Sequence, residues 1–521
     1  MQSKSEVNRK QMRIRKNIVR LEGSRKRNIT QQGKEKKMAE KFQMYIDGEW
    51  CDSSSGEVIE VTNPATGELI GTVPKAAPED LERAIKAADR EKEAFKHWGI
   101  VERGELMCRI ADELEKETEK IAKYMSMEQG KPIATESRGE VTESAENLRN
   151  ANEDIKRMNG EILYSKDPNR KIMTIREPNG VYSAISPWNF PMVMPAEHIA
   201  PILVAGNTMI MKPASYTPIS AVFFAEAIER AGCPKGVFNL VTGPGPTIGE
   251  MMCSHPLVNA IAFTGENVTG KRIAQIAGLK RMLLEMGGSG PEIVCADADI
   301  KAAAEGAAYG AWMNAGQVCC STQRVLVHKS VKKEFLEHLM KTVDDIVLGD
   351  PLDDKTTMGP LNNAPVADKV EFHVNEGIAK GAKILCGGGR AKGFDTNLFF
   401  EPTIVDNVTP GMLLHDEETF GPVIPIIEFE TDEEAIKMAN STPYGLQMSV
   451  YTSSMKKAFY YHSRLNAGNV CINESAGFWE PHQPFGGAPG TETGYGRIGG
   501  KYTIEETTFL KTITVNFDKC Y

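Results

Sequence analysis

The feature that most constrains this chain is a repeated alternation of short apolar segments with helix-length segments, which begins near Val181. The short segments include "GVYSAISP", "AGNTMIMKP" and "AIAFTG", and "SAVFFAEAIERAG" is one of helix length. Strands that alternate with helices in this way form parallel sheets with helices on both faces. The pattern predicts an α/β fold with a doubly wound parallel sheet.

A second series of the same kind begins after Glu285, in "GPEIVCADADIKAAAEGAAYGAWMNAG" and "VLVHKSVKKEFLEHLMKTVDDIV". A chain of 521 residues is long enough for two or three domains, so we expect two α/β units. Before the first series, apolar residues recur at intervals of three and four over residues 78–157. This periodicity predicts long amphipathic helices.

The charge is unevenly distributed along the chain. Its net value is -9, yet the first 37 residues carry 13 Lys and Arg against three acidic residues. Such a segment is typical of a disordered tail, a targeting peptide or a nucleic-acid-binding arm, and a translation start placed before Met38 is a further alternative. Because the acidic remainder offers no basic patch, we expect no nucleic-acid partner. No apolar run reaches the roughly 18 residues of a membrane span, so we expect no membrane partner.

Ten cysteines are spread irregularly and include no CxxC pair. This spacing excludes a disulfide framework, predicts no metal site and favours a reducing, cytoplasmic compartment. Two of them, Cys319 and Cys320, are adjacent in "MNAGQVCCSTQR". Either thiol could be a nucleophile or a small buried apolar residue.

A possible phosphate site lies in "AIAFTGENVTGKRIAQIAG", which reads as a strand, a turn and a helix. Gly265 and Gly270 flank the start of this helix, where backbone amides could bind a pyrophosphate. The spacing is not GxGxxG, and an ordinary turn with a helix cap is the alternative.

Three distant segments, "SPWNFPMVMPAEHIAPILVAGNTMIMKPAS", "LLEMGGSGPEIV" and "NAGQVCCSTQR", resemble the aldehyde dehydrogenase superfamily in this order. Further matches such as "EETFGPV", "STPYGLQMSVYT" and "PFGG" extend the resemblance from about Met44 to Phe517. It implies a Rossmann-type cofactor domain, an α/β catalytic domain and a small β bridging element that forms a homodimer or homotetramer through its exposed edges. The expected division is a tail at 1–40, an NAD(P)-binding domain at 41–157 and 181–284, an oligomerisation element at 158–180 and 500–521, and a catalytic domain at 285–499.

The resemblance also implies roles for the reacting groups. Cys319 would be the nucleophile, and Cys320 would line the pocket beside it. Asn189 would join the backbone N–H of Cys319 in stabilising an oxyanion, and Glu285 would activate the hydrolytic water. Relatives that transfer the acyl group to coenzyme A generally lack this glutamate, so hydrolysis to a carboxylic acid is favoured. Chemically, the thiol needs either a lowered pKa or a base nearby.

The cofactor implied by the resemblance is NAD(P)+. Many NAD-preferring relatives have a glutamate where this chain has Ser215, and its absence beside Lys212 permits NADP. The cofactor-binding residues that we expect are Trp188, Lys212, Ser215, Gly243, Gly245, Pro246, Gly265, Gly270, Glu418, Phe420 and Phe485.

The positions expected to line the substrate channel are apolar or aromatic, and core packing is the alternative role for each: Met194, Pro195, Trp312, Val318, Cys320, Phe478 and Trp479. They favour an uncharged aliphatic or aromatic aldehyde. Relatives that oxidise succinic semialdehyde have an arginine where this chain has Glu197, which disfavours that substrate. A semialdehyde dehydrogenase is still the alternative, followed by a non-catalytic family member. His482 could contact the substrate or lie on the surface.

Three departures from the family pattern concern the site. Glu266 follows Gly265 where a serine is common, so its carboxylate should point away or weaken a phosphate contact. Ser289 replaces a lysine that often follows the "GG" pair. The segment after Gly487 lacks the usual Lys-x-Ser-Gly, so we expect a differently built loop there.

Overall fold

The computed structural model describes residues 39–519. The first 38 residues of the predicted basic tail therefore lie outside the described residues. Numbered in chain order, the strands are β1 Glu40–Lys41, β2 Met44–Ile46, β3 Glu49–Cys51, β4 Val58–Thr62, β5 Leu69–Pro74, β6 Ile162–Leu163, β7 Arg170–Pro178, β8 Val181–Ile185, β9 Thr208–Lys212, β10 Phe238–Leu240, β11 Ala260–Thr264, β12 Arg281–Glu285, β13 Pro291–Val294, β14 Arg324–His328, β15 Lys383–Cys386, β16 Thr403–Asp406, β17 Val423–Phe429, β18 Gln447–Tyr451, β19 Asn469–Ile472, β20 Gly494–Tyr495 and β21 Thr508–Asn516.

The α-helices, numbered in the same way, are α1 Pro78–Lys96, α2 Ile100–Lys116, α3 Thr118–Gln129, α4 Arg138–Ile155, α5 Val193–Val204, α6 Ile219–Arg230, α7 Glu250–Ser254, α8 Asn267–Ala277, α9 Ile300–Trp312, α10 Lys332–Thr342, α11 Ala364–Ala379, α12 Leu413–Asp416, α13 Asp432–Ala439, α14 Met455–His462 and α15 Gly500–Glu506. The first four lie where the periodicity over residues 78–157 predicts helices. A π-helix, Ile133–Ser137, precedes α4, and a second, Gly245–Gly249, precedes α7.

The first large sheet has eight strands in the order β20-β12-β11-β8-β9-β10-β2-β3. The five central strands, β12, β11, β8, β9 and β10, are parallel to one another. The pairs at the two edges of the sheet are antiparallel: β20 with β12 at one edge, and β10 with β2 and β2 with β3 at the other. Every residue of β8 and β9 is buried, as expected where helices cover both faces of a parallel sheet. Since β8 lies between β9 and β11, the chain order reverses beside it, and a crevice opens at the carboxyl ends of these strands.

The second large sheet has seven strands in the order β15-β16-β17-β14-β13-β18-β19. All its pairs are parallel except the one that joins β15 to β16. A separate apolar core packs around it, formed with α9, α10 and α11. Two α/β sheets confirm the doubly wound architecture that the alternating segments predict.

Two small sheets complete the fold. One is antiparallel, with the order β21-β7-β6, and pairs residues 508–516 with residues 170–178 along their whole length. The other has the order β1-β5-β4. The C-terminal segments also return to the first large sheet, because β20 pairs with β12 and α15 packs against α4 and α5. No helix of the described residues is long and apolar enough to cross a membrane.

Candidate active site

A cavity of about 800 Å³ lies between the carboxyl ends of β8, β11 and β12 and the loops that precede β14 and β17. The predicted site residues that line it are Trp188, Asn189, Met194, Gly265, Glu285, Val318, Cys319, Cys320, Glu418, Phe420, Phe478, Trp479 and Phe485. The predicted residues outside its lining are Pro195, Lys212, Ser215, Gly243, Gly245, Pro246, Gly270 and Trp312. The structure therefore brings the three expected reacting groups together.

Asn189 follows β8 by four residues, at the crevice of the first large sheet. It is buried, and its Nδ2 donates to the carbonyl of Gln317 at 2.9 Å. One hydrogen of the amide group is thereby held by the loop that carries Cys319. Because an amide nitrogen carries two hydrogens, the second is left for a ligand in the cavity.

The segment that carries the thiols begins with a tight turn before β14. Asn314 and Ala315 both have left-handed backbone angles, with φ of 50° and 53°, and Gly316 follows with φ of 74°. On the opposite side, a Cβ at Gly288 would lie 2.4 Å from the carbonyl oxygen of Cys319. Only glycine at this position in "EMGG" leaves room for the thiol-bearing segment.

Cys319 has a thiol that is neutral in this arrangement. Its pKa is raised well above the usual value because its Sγ shares a hydrogen bond with Cys320, because it is buried, and because Glu418 lies nearby. Of the two conditions that the chemistry allows, a lowered thiol pKa is therefore not met. The other condition, a base nearby, falls to the carboxyl group of Glu285, which lines the same cavity and whose own pKa the Cys319 thiol raises.

Glu285 is the last residue of β12, where the strand ladder aims its side chain into the cavity. Its side chain is buried, and neither carboxyl oxygen has a hydrogen-bond partner within residues 39–519. Burial, followed by the interaction with Cys319, raises its pKa well above the usual value. A Cβ at Gly486 would lie 2.7 Å from Oε1, so this glycine leaves space beside the carboxyl group.

Glu418 and Phe420 reach the cavity from the loop before β17. Glu418 Oε1 accepts the N–H of Gly288 at 3.0 Å, and burial raises the pKa of this glutamate to about 7. Phe420 has φ of 60° and makes an edge-to-face contact with Trp188, with ring centroids 5.5 Å apart. This contact joins a loop of the second sheet to the end of β8.

Lys212, Ser215 and Gly243 form a second cluster at the ends of β9 and β10. The Nζ of Lys212 donates to the carbonyl of Gly243 at 3.1 Å, and burial lowers the pKa of this lysine to about 8. Ser215 Oγ donates to the same carbonyl at 3.3 Å. Gly245 and Pro246 begin the π-helix beside this cluster. These residues are brought together, but apart from the 800 Å³ cavity.

The helix that follows β11 has its amino end at the cavity, where Gly265 and Glu266 belong to the lining. Glu266 is exposed at the first turn of α8. Gly270 is inside α8, and a Cβ there would lie 2.0 Å from Met286 Sδ. Gly270 is therefore a close packing position between α8 and the residue that follows β12, and its part in a pyrophosphate site stays a prediction.

Some predicted channel residues lie elsewhere. Trp312 is 3% exposed and packs in the core of the second large sheet, and Pro195 is buried in α5. Trp312 is the last residue of α9, and spacing along the chain did not reveal that its side chain contributes to this core and not to the cavity. Glu197 is buried outside the lining, and His482 is exposed beside Glu480 at 3.3 Å. Neither residue lines the cavity.

Two departures from the expected pattern have structural roles. Ser289 is buried, and its carbonyl accepts two hydrogen bonds from the fully buried guanidinium of Arg324, at 3.1 and 2.8 Å. The loop after Gly487 passes between the two large sheets. Within it, Thr493 Oγ1 donates to the carbonyl of Gly287 at 3.1 Å and accepts the N–H of Gly445 at 3.0 Å.

Several cavity residues were missed by the sequence analysis: Glu143, Phe190, Tyr309, Met313, Asn363, Lys369, Glu480 and Ile498. Glu143 comes from α4, more than 170 residues before the thiols, on a helix whose pattern shows only amphipathicity. No local signal in the sequence distinguishes this half-buried residue from the exposed glutamates of the same helix. Met313 and Tyr309 adjoin the thiol motif, so their proximity in the sequence could have identified them.

A doubly wound sheet whose switch-point crevice meets a thiol-bearing cavity defines the class of this protein, an α/β oxidoreductase for a dinucleotide cofactor. The chain belongs to the aldehyde dehydrogenase family, because the sequence model described as "Aldehyde dehydrogenase family" matches residues 50–513. It is an enzyme that oxidises an aldehyde with NAD(P)+.

Relatives from distant organisms agree with this assignment. The chain is 40% identical to glutarate-semialdehyde dehydrogenase of Pseudomonas aeruginosa, over 90% of this chain and 96% of that protein. It is 38% identical to retinaldehyde dehydrogenase 3 of Homo sapiens, over 91% and 92% of the two chains. The crystal structure of betaine aldehyde dehydrogenase from Staphylococcus aureus in complex with NAD+ superposes with a TM-score of 0.88 at 35% identity, covering 92% of this chain and 95% of that one.

Proposed function

We propose that the enzyme converts an uncharged aliphatic or aromatic aldehyde to its carboxylic acid through a covalent thioester on Cys319. The observation that carries this proposal is that three groups line one cavity. They are the thiol of Cys319, the amide of Asn189, which is fixed by a hydrogen bond to Gln317, and the carboxyl group of Glu285, which accepts no hydrogen bond from the described residues. Cys320 is the neighbour that shares a hydrogen bond with the nucleophile. Its buried position leaves it less room to attack.

In the first step, Cys319 Sγ bonds to the aldehyde carbon after its proton passes to a base. Glu285 is the base in reach, since the two groups interact. The aldehyde oxygen becomes an oxyanion, which takes hydrogen bonds from the free N–H of Asn189 Nδ2 and from the backbone N–H of Cys319. Fixed donors of this kind typically contribute about 3 kcal/mol or more to the transition state. When bound, NAD(P)+ would supply the acceptor for a hydride, and loss of that hydride from the carbon would leave a thioester on Cys319.

Between the two steps, Glu285 releases the thiol proton to solvent. In the second step, it removes a proton from a water molecule that attacks the thioester carbon, and it then passes this proton to the leaving sulfur. The carbon–sulfur bond breaks, the acid leaves, and the thiol of Cys319 is restored. The raised pKa of Glu285 suits a carboxyl group that must hold a proton between these transfers. Because both of its carboxyl oxygens lack partners, either can accept the proton.

Two separate groups of residues support a binding place for each end of a dinucleotide. Glu418, Phe420 and Trp188 would hold the nicotinamide riboside beside Cys319, and the raised pKa of Glu418 shows an acceptor removed from water. Lys212 and Ser215 would contact the adenosine end at the carboxyl ends of β9 and β10. Since no carboxylate replaces Ser215, a 2′-phosphate meets no repulsion from this position, and NADP+ is accepted as well as NAD+.

The charge of the cavity supports an uncharged substrate. Among the described residues, Lys369 is the one lysine or arginine in its lining, whereas the carboxyl groups there are those of Glu143, Glu266, Glu285, Glu418 and Glu480. Because burial raises the pKa of Glu143, Glu285 and Glu418, the repulsion of an anionic aldehyde would come mainly from the exposed carboxyl groups of Glu266 and Glu480. The buried position of Glu197 removes it from this argument, so the preference rests on the lining residues themselves.

A carboxylated semialdehyde is the second candidate, because the similar Pseudomonas aeruginosa protein is a glutarate-semialdehyde dehydrogenase. A panel of uncharged and carboxylated aldehydes, each with NAD+ and with NADP+, decides between the two. We expect the highest kcat/KM for uncharged aldehydes. The absorbance of the reduced cofactor measures each rate. A preference for carboxylated aldehydes would reverse the substrate assignment, and no turnover of any aldehyde by folded enzyme would contradict the mechanism.

We further propose a homodimer or homotetramer that forms through the β21-β7-β6 sheet. This sheet exposes large apolar side chains, among them Ile162, Tyr164 and Leu510 at 76%, 84% and 57%. Strand β21 also lies at the edge of this sheet, with β7 on its inner side. Leu510→Glu should reduce the mass measured by light scattering, whereas Leu279→Glu, at an exposed position in another part of the molecule, should leave it unchanged. Equal masses for both variants would contradict the proposal.

We propose the domain division expected from the sequence with one change. Residues 494–506 join the cofactor-binding domain, because β20 and α15 pack with β12, α4 and α5. We also propose the cytoplasm as the compartment, since nine cysteines of the described residues are free thiols. Cell fractionation with an antibody against the chain tests this location.

A further inference from the structure

Asn314 is a buried residue that lies five positions before Cys319 and does not line the cavity. Its Nδ2 donates two hydrogen bonds, to the carbonyl of Asn189 at 3.0 Å and to the carbonyl of Gln317 at 3.3 Å. Its Oδ1 accepts from Gln129 Nε2 at 2.9 Å. The whole amide group is therefore committed to holding other parts of the chain.

The carbonyl of Gln317 is shared by two amide groups. It accepts from Asn314 Nδ2 and also from Asn189 Nδ2, the latter at 2.9 Å. Asn314 therefore binds the backbone of the residue that carries the oxyanion amide, and the backbone two positions before Cys319. These bonds form a closed link between the end of β8 and the thiol segment, which approach from different sheets.

The surroundings keep Asn314 in this position. Its backbone N–H donates to Glu136 Oε1 at 3.1 Å, and its carbonyl accepts from Gln317 Nε2 at 2.9 Å. Gln317 Oε1 in turn accepts the N–H of Asn362 at 2.8 Å. Asparagine adopts left-handed backbone angles more readily than most residues, which suits the φ of 50° at this position.

We propose that Asn314 is a positioning residue that fixes the distance between the oxyanion-binding amide of Asn189 and the thiol of Cys319. This inference rests on the function proposed above, because it assumes that these two groups act on the same carbonyl carbon. Asn314 acts only through the two carbonyls that it binds. A displacement of about 1 Å in such an arrangement reduces catalysis by about 100-fold.

The direct test is Asn314→Asp, which keeps the shape and replaces the two N–H donors by an acceptor. The matched control is Asn207→Asp. Asn207 is equally buried, and its Nδ2 donates to the carbonyls of Ile202 and Thr507 at 3.1 and 3.0 Å, remote from the cavity lining. Both variants lose the same kind of clamp, so their losses of stability should be similar. Only Asn314→Asp should lower kcat/KM when the rate is divided by the concentration of folded enzyme.

We expect kcat/KM for the aldehyde to fall about 50- to 100-fold in Asn314→Asp and to stay within about threefold in Asn207→Asp, with the KM for NAD(P)+ little changed in both. In a double-mutant cycle, Asn314→Asp should lower kcat/KM by less than about threefold when Asn189 is already alanine. Equal fold-losses in both backgrounds, or wild-type kcat/KM in folded Asn314→Asp, would overturn the proposal.

Gln129→Met is the second variant, in case Asn314→Asp does not fold. It removes the donor that orients Asn314 Oδ1, and we expect a fall of about 5- to 10-fold in kcat/KM with the aldehyde at wild-type KM for NAD(P)+. An unchanged kcat/KM would overturn the inference. A wild-type enzyme that turns over no aldehyde would contradict the proposed function, whereas an active wild type with fully active variants would contradict the positioning role alone.

Discussion

The two large sheets supply the cavity in different ways. Glu285 is the last residue of β12 and Asn189 follows β8 closely, so the parallel ladder of the first sheet places both side chains. Cys319 and Glu418 precede β14 and β17, at the amino ends of the second sheet. The loops on this second side contain non-glycine residues with left-handed φ angles, including Phe420. Strand ends place side chains without such angles, whereas loops before strands need conformations that cost energy.

The largest expected effect separates the two thiols of the second sheet. Cys319→Ala should reduce aldehyde oxidation by a factor on the order of 10⁴ or more, because it removes the nucleophile. Cys320→Ala should retain most of the activity, since it removes only a neighbour of the thiol. Steady-state kinetics with the best aldehyde of the panel measures both. Loss of activity in Cys320→Ala with retention in Cys319→Ala would reverse the assignment.

The next effect tests the first sheet. Glu285→Gln should slow steady-state turnover by about 10²- to 10⁴-fold, because glutamine cannot accept the proton of the hydrolytic water. Rapid-mixing kinetics should show whether one equivalent of reduced cofactor forms before turnover stalls at the thioester. In the wild type, Glu285 becomes protonated as the pH drops through its raised pKa. The rate of aldehyde oxidation should fall with it, because the protonated carboxyl group cannot act as a base. Unchanged turnover in the variant would remove Glu285 from its role.

A smaller effect concerns the attachment of the thiol segment to the helices of the first sheet. Glu136 accepts the N–H of Asn314, and burial raises its pKa to about 7. A raised carboxyl pKa favours the folded state at low pH. This contribution is complete below about pH 4.3 and is lost as the pH rises through about 7.

Glutamine cannot ionise, so Glu136→Gln should gain stability relative to the wild type between pH 4.5 and 8. The expected gain is roughly 2 to 4 kcal/mol, at about 1.4 kcal/mol per pKa unit. Urea unfolding at several pH values measures it, with Glu105→Gln on the exposed face of α2 as the control. If the free energy of unfolding changes with pH in the same way for the wild type and for Glu136→Gln, the pKa of this carboxyl group is not raised by folding.

The smallest effect compares backbone strain in the two regions. Ala315→Gly should stabilise the fold by about 1 kcal/mol, because glycine adopts a φ of 53° without the steric cost that alanine has. Ala274→Gly, in the regular helix α8 beside the first sheet, should destabilise it by about 1 kcal/mol. Thermal unfolding compares the two. Destabilisation by both variants would show that the thiol segment stores no strain.

The lining of the cavity could be anticipated only in part. Motifs such as "PWNFP" and "EETFGPV" contain several lining residues within a few positions, so Trp188 and Phe420 could be identified from their segments. Trp312 could not be placed, because one position in a helix decides whether a side chain faces a core or a cavity. Glu143 could not be found at all, since its helix meets the cavity only through tertiary packing.

The sequence by itself determined the class of fold and the inventory of reacting groups. Alternation of apolar segments fixes parallel sheets, and ordered motifs carry a thiol, an amide and a carboxyl group in one chain. Only the tertiary structure decided how these groups are held. Asn189, Asn314 and Gln317 become one hydrogen-bonded unit because loops from two sheets meet, and the pKa of the Cys319 thiol is raised because Cys320 shares a hydrogen bond with it and because the thiol is partly removed from water. Contacts and burial of this kind depend on distance in space, and local sequence patterns do not encode that distance.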